Sequence, residues 1–211
     1  MHNRRCECQT GETVPSLFLM TFGNLLKTLS GNGLSAPYEP TLVGNQMWMP
    51  NSGTSTISVF NLDGSAASVG PYSDDSLDTP KGMMVVGKQV WVANDGNSTI
   101  SRFNPDGTTA GAPLTGIANP RGGVVVTIND VQQVWIPSHA GSIYRLDPNG
   151  NQVAGPLTGN SLDNVESLGL VESQIWAPDS AGLVSIFNPD GSVVPDSLLA
   201  DSTFSDIHGI A

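Results

Sequence analysis

The sequence predicts an all-β chain built of four-stranded antiparallel blades, and three observations predict it. Tryptophan recurs at Trp48, Trp91, Trp135 and Trp176, spaced 43, 44 and 41 residues apart. Each tryptophan opens the same succession of strand, loop, strand and turn. No window carries apolar residues at i, i+3, i+4 and i+7 over three turns without a Gly or Pro interrupting it, so almost no helix is expected. A pattern returning four times at such a period marks propellers and solenoids, and four short strands per period make a propeller blade.

The elements follow in order within each repeat. A short apolar run comes first, such as Met83 to Val86, Val124 to Thr127 or Leu168 to Val171. The tryptophan segments then read MWMPNSGTSTISVFNLDGS from Met47, VWVANDGNSTISRFNPDGT from Val90, VWIPSHAGSIYRLDPNGN from Val134 and IWAPDSAGLVSIFNPDGS from Ile175. In each, a β-prone run around Trp is followed by a small polar loop and an alternating strand, for example Thr56-Ile57-Ser58-Val59-Phe60, which is a hairpin. A turn closes it as Asn61-Leu62-Asp63-Gly64, Asn104-Pro105-Asp106-Gly107, Asp147-Pro148-Asn149-Gly150 or Asn188-Pro189-Asp190-Gly191. Proline presets φ at the second position and glycine supplies the positive φ. A short outer strand completes the blade.

This places blades near residues 37–70, 80–111, 120–155 and 165–196 of a β-propeller spanning 16–211, with residues 1–15 a disordered or leader segment. Ser16 to Phe22 and Leu25 to Leu29 read as two outer strands of a partial blade at 16–30. His208-Gly209-Ile210-Ala211 reads as the opening strand of another at 207–211. The chain is then either a ring closed by both termini or, preferred here, a fragment of a longer ring whose open edges invite self-association.

Composition agrees. One domain is the default at 211 residues. Only 13% of residues are charged, and 24 glycines and 15 prolines suit many short strands joined by tight turns. A net charge of -11 repels phosphate backbones and anionic lipid surfaces, which excludes nucleic acid as a partner. No apolar run reaches the ~20 residues of a membrane span. His2, Arg4 and Arg5 precede an apolar stretch from Val14 to Leu26, broken by Gly23 and Asn24, that loosely resembles a signal peptide with Leu34-Ser35-Ala36 at the cleavage site. The two cysteines, Cys6 and Cys8, are too close in sequence to staple distant parts of a fold, and no second Cys/His pair completes a metal site.

The succession Pro-x-Gly, a short apolar strand, Val-Trp-Val-Ala-Asn, a small polar loop, Ile-Ser-x-Phe and Asn-Pro-Asp-Gly resembles the NHL-type propeller repeat of bacterial proteins over residues 37–211. Within that group the chain is similar to secreted bacterial propellers related to virginiamycin B lyase. The resemblance implies an extracellular or periplasmic location. It also implies a seven-bladed ring in which the lyase opens a streptogramin lactone by elimination, with Mg²⁺ and a His/Glu cluster. The family's repeats read Trp-Phe-Thr-Glu, whereas the Glu position here holds Asn51, Asn94, Ser138 and Asp179, and the family's first-strand histidine is matched only at His208. The activity is therefore not carried over, and no cofactor is expected. Mg²⁺ or Ca²⁺ would enter only with an enzymatic reading.

Two sets of residues are candidates for a site. The position between Pro and Gly before each first strand, which in a propeller opens on the channel mouth, holds Glu39, Lys81, Arg121, Glu166 and His208. All are ionisable, which suggests a charged ring that orients a polar ligand. The alternative is a set of solvated residues in mutual salt bridges worth about 0 to 1 kcal/mol each. The second set follows the tryptophan strands: Asn51, Asn94, Asp95, Ser138, His139, Asp179 and Ser180. Asn and Asp there also form turns with their own backbone. His139, the only histidine inside a complete repeat, is the candidate general base or metal ligand. The tryptophans are expected to pack between blades. Each Asn-Pro-Asp-Gly turn offers one carboxylate, too few for calcium. Nucleophile-elbow, phosphate-loop, zinc and dinucleotide motifs are absent.

The expected function is a non-catalytic binding module presenting one face of loops to a polar small molecule, glycan or protein partner. The rival is a metal-assisted lyase or hydrolase with His208, Glu39 and Glu166 as acid-base and metal-binding groups. A third reading is a structural repeat segment of a larger surface protein.

Overall fold

Successive side chains of a strand point to opposite faces, so a strand buried on both faces must be covered on both. The tryptophan strands and their hairpin partners read this way, and the sheets formed are those of stacked blades. The computed structural model describes residues 5–7, 16–21, 24–159, 162–195 and 198–200, and no described residue is helical. The fold is an all-β propeller of antiparallel blades.

The chain divides into two compact units, Met1–Pro113 and Leu114–Ala211. In the first, β1 (Arg5–Glu7), β2 (Ser16–Thr21) and β3 (Asn24–Ser30) form an antiparallel sheet in that order. A blade follows of β4 (Thr41–Val43), β5 (Gln46–Asn51), β6 (Thr56–Asn61) and β7 (Tyr72–Ser73), then one of β8 (Pro80–Val86), β9 (Gln89–Asn94) and β10 (Thr99–Phe103). The second unit holds β11 (Val124–Ile128), β12 (Val131–Ser138), β13 (Ser142–Leu146) and β14 (Gln152–Thr158), then β15 (Gly169–Val171), β16 (Gln174–Pro178), β17 (Leu183–Phe187) and β18 (Leu199–Ala200).

Three details go beyond the sequence reading. Within the segment expected to be disordered or a leader, Arg5–Glu7 pairs antiparallel with β2. The blade at 80–111 has three strands, its fourth reduced to a single Phe103–Thr109 bridge. Beyond that bridge Arg102 donates from Nε and Nη2 to the Ala112 carbonyl at 3.2 and 2.7 Å, and Pro113 has no N–H to continue a ladder. Finally, Leu34-Ser35-Ala36 belongs to the packed fold: Leu34 is buried with Leu29, Met49 and Phe60, Ser35 N donates to Asn51 Oδ1, and the Ala36 carbonyl accepts Ser52 N. The strand ending at Phe22 and the partial strand at 207–211 lie in part or wholly outside the described residues.

Trp48 and Trp135 pack between blades. In the first unit Trp48, Ile57 and Val59 meet Met83, Val90, Val92 and Phe103 of the following blade, and Trp48 lies 4.9 Å from the Tyr72 ring. In the second, Trp135 and Ile143 meet Val165, Leu168, Ile175 and Phe187. Trp48, Trp91 and Trp135 are 0% exposed, and Trp176 is half-buried. A glutamine stands two residues before each tryptophan, at Gln46, Gln89, Gln133 and Gln174, on the same face of the strand. Trp91 Nε1 donates to Gln89 Oε1 at 3.2 Å.

The closing turns share one chemistry. Gly64, Gly107, Gly150 and Gly191 take positive φ, and their N–H groups donate to the carbonyls of Asn61, Asn104, Asp147 and Asn188 at 2.9 Å. Asp63 Oδ1 accepts the Ser65 hydroxyl at 2.6 Å and its N–H at 2.8 Å; Asp106 and Asp190 treat Thr108 and Ser192 the same way. These side-chain bonds, then the backbone ones, hold the three carboxyls below the ordinary 3.8. A carboxyl lowered by folding adds stability that is complete above its unfolded value and is lost as pH falls through the folded one. As pH falls from about 5 through the lowered folded values the denaturation midpoint should therefore drop, and the Asp63→Asn, Asp106→Asn, Asp190→Asn triple variant should show a shallower drop. An identical slope in that variant would mean that other groups carry the acid sensitivity.

Candidate functional site

The entry to each first strand is pinned by a bridge to the end of the tryptophan strand: Pro37–Asn51, Pro80–Asn94, Pro120–Ser138 and Val165–Asp179. The next residue in each blade is thereby in register, and these are Tyr38, Lys81, Arg121 and Glu166. Tyr38 N and Arg121 N make the same bond, to the carbonyls of Pro50 and Pro137, at 2.9 Å each. Glu39 thus stands one residue out of register, exposed, with Tyr38 in the place assigned to it. The physical reason is that Pro37, and not Pro40, is the bridging proline. His208 lies outside the described residues.

These side chains are joined blade to blade. In the first unit Lys81 Nζ donates to Tyr38 Oη and sits 4.0 Å from the ring centroid, a cation–π contact. In the second, Arg121 Nε donates to Glu166 Oε2 at 3.1 Å, and His139 Nε2 lies 2.9 Å from Glu166 Oε1. Side-chain exposure rises along this series: 8% for Arg121, 15% for Glu166 and 37% for His139. Glu166 is thus held from both sides, by a buried guanidinium and by an imidazole that reaches solvent. His139 is positioned by its own N–H, which donates to the Asn119 carbonyl at 3.0 Å.

Four residues expected on the loop face are instead buried at or just after strand ends: Asn51, Asn94, Ser138 and Asp179. Asn51 Nδ2 donates to Ser58 Oγ at 2.9 Å and Thr56 Oγ1 at 3.2 Å, while its Oδ1 accepts Ser35 N. Asn94 repeats this with Ser101, Thr99 and Asp78 N. Ser138 Oγ donates to the Ala118 carbonyl at 2.6 Å, and Asp179 Oδ1 accepts Leu183 N at 2.8 Å. Buried polar groups must be paired, and here the pairing ties each hairpin to neighbouring backbone. It leaves these side chains no surface for a ligand. Asp95 and Ser180 are half-buried, so His139 is the member of this set that joins the charged cluster.

Among the described residues no group of three or more His, Cys, Asp or Glu side chains is placed to hold a metal ion, and no helix is long and apolar enough to cross a membrane.

No family model matches the chain, and no curated protein matches it. Solved structures do. A catalytically inactive variant of virginiamycin B lyase from Staphylococcus aureus, with quinupristin, superposes with a TM-score of 0.70 at 16% identity over 91% of this chain. A streptogramin B lyase gives 0.69 at 13% over 90%, and a nidogen/laminin complex 0.70 at 15% over 90%. The chain covers 65% and 63% of the two lyase chains, less than two thirds, and 74% of the nidogen/laminin match. At these identities the likeness concerns the fold: the chain is a β-propeller similar to virginiamycin B lyase.

Proposed function

We propose that the chain is a binding module whose ligand-facing surface is built around Arg121, Glu166 and His139. The carrying observation is the graded cluster itself, a carboxylate fixed between a buried guanidinium and a half-exposed imidazole. Such a fixed set of donors and acceptors orients a hydroxyl without moving. Because Arg121 faces Glu166 and the chain carries a net charge of -11, an uncharged, hydroxyl-rich ligand such as a glycan suits it better than a polyanion. An extracellular or periplasmic setting is part of the same proposal and is supported by the low lysine content and the family resemblance.

The test is a panel of neutral and acidic mono- and oligosaccharides, read by thermal shift and ligand-observed NMR. A neutral sugar should raise the Tm saturably, with the shift lost in His139→Ala while the sugar-free Tm is unchanged. No response across the panel, or an equal response in the variant, overturns the reading.

A second reading is favoured by the His139–Glu166 contact, since a carboxylate-oriented imidazole is an arrangement a general base uses. The lyases among the structural neighbours give that reading a substrate to try. Quinupristin incubated with the chain and Mg²⁺ would then yield ring-opened product by mass spectrometry, and His139→Ala would not produce it.

A further inference from the structure

Asn97-Ser98-Thr99 is the single Asn-x-Ser/Thr triplet in the sequence. Asn97 and Ser98 lie in the turn joining β9 to β10 and Thr99 opens β10; in the place of that turn the other repeats have Ser52-Gly53-Thr54-Ser55, His139-Ala140-Gly141 and Ser180-Ala181-Gly182. The triplet is therefore a property of this blade and not of the repeat.

The turn presents it outward. Gly96 N donates to the Asp78 carbonyl at 3.2 Å and Asp95 N to that of Thr79 at 3.2 Å, which holds the base of the turn against the preceding loop. A Cβ at Gly96 would meet Asp78 Oδ1 at 2.3 Å, so glycine is what lets the turn lie so close. Asn97 is the next residue and is exposed. Thr99 Oγ1 donates to Asn97 Oδ1 at 2.7 Å, fixing the carboxamide by the hydroxyl two residues on. Asn97 Nδ2 has only a long bond, 3.3 Å to the Ser76 carbonyl, to give up.

We propose that Asn97 is an acceptor for N-linked glycosylation. The donor is an oligosaccharide joined through its anomeric carbon to a polyprenyl pyrophosphate, and the catalyst is an oligosaccharyltransferase. The bond from Asn97 Nδ2 to the anomeric carbon forms, the bond from that carbon to the pyrophosphate oxygen breaks, the pyrophosphate lipid leaves with the electron pair, and one Nδ2 proton passes to a base of the transferase. Asp95, two residues before the acceptor, adds a carboxylate that a transferase with a basic groove would read. The inference rests on the exported setting proposed above, but its chemistry is tested apart from that setting.

The experiment uses a purified single-subunit bacterial oligosaccharyltransferase, a polyprenyl-pyrophosphate oligosaccharide and the folded chain. Intact mass should rise by one oligosaccharide, peptide mapping should place it at Asn97, Asn97→Gln should abolish it and Thr99→Ser should retain it. Asp95→Ala should slow the transfer at least several-fold. A synthetic peptide of residues 90–105 is run alongside. Transfer to the peptide but not to the folded chain, transfer to neither, or a mass gain that survives Asn97→Gln would each overturn the proposal. None of these outcomes depends on whether the chain binds sugars.

Discussion

Trp91→Ala is expected to lower the unfolding free energy by about 3–5 kcal/mol, the range for truncating a fully buried tryptophan. Trp91 is 0% exposed, lies opposite Met84 on one strand and Arg102 on the other, and spends its indole N–H on Gln89. Its removal opens a cavity in the middle of a blade and leaves the Gln89 amide oxygen without that donor. Trp176 occupies the same place in its repeat but is half-buried, so Trp176→Ala should cost about half as much or less. Guanidinium titrations followed by far-UV circular dichroism separate the two, since midpoints shift while the slope is kept. Equal losses would mean that repeat position, and not burial, sets the contribution.

Glu166→Ala should cost about 2–3 kcal/mol, toward the lower end for breaking a buried ion pair because the carboxylate keeps some exposure. The loss falls on Arg121, which is 6% exposed and gives up its bond to the Glu166 carboxylate. Glu166→Gln keeps an acceptor oxygen and should cost about 1 kcal/mol. His139→Ala, at the solvent end of the cluster, should have the smallest effect on stability. Chemical denaturation of the three variants at two salt concentrations checks the order. A Glu166→Ala loss below about 1 kcal/mol that vanishes in salt would reduce the cluster to an ordinary surface pair.

The repeating part of the fold was legible because it is local. The alternating strands and the Asn/Asp-x-Asp/Asn-Gly turns each lie within a few residues and recur with the tryptophan every 41 to 44 residues, and the strands found at Gln46–Asn51, Gln89–Asn94 and Gln174–Pro178 coincide with the tryptophan segments. What escaped is what depends on a partner further along the chain. Pro37-Tyr38-Glu39-Pro40 offers two prolines and no following glycine, so only the bridge to Asn51 identifies Tyr38 as the in-register residue. Asn51 and Asn94 look like loop residues by type. They are buried because Ser58 and Ser101, seven positions on, supply hydroxyls to receive their amides. The meeting of His139 with Glu166 joins two repeats, and no motif within either one announces it. The signal that could have found it is that the two positions lie on either side of the same bridge level, one ending a tryptophan strand and one entering the next blade.

The blade-to-blade bonds have a kinetic consequence. Lys81 reaches back 43 residues to Tyr38, Arg121 forward 45 to Glu166, and Arg145 forward 45 to the Asp190 carbonyl. Each link closes a loop of nearly the same length, so the entropy of closure is nearly the same at every step instead of growing with the chain. A ribosome releasing the chain from its N-terminus would free each blade's partner one repeat later, and assembly can advance at the pace of synthesis, with cooperativity confined to nearest neighbours.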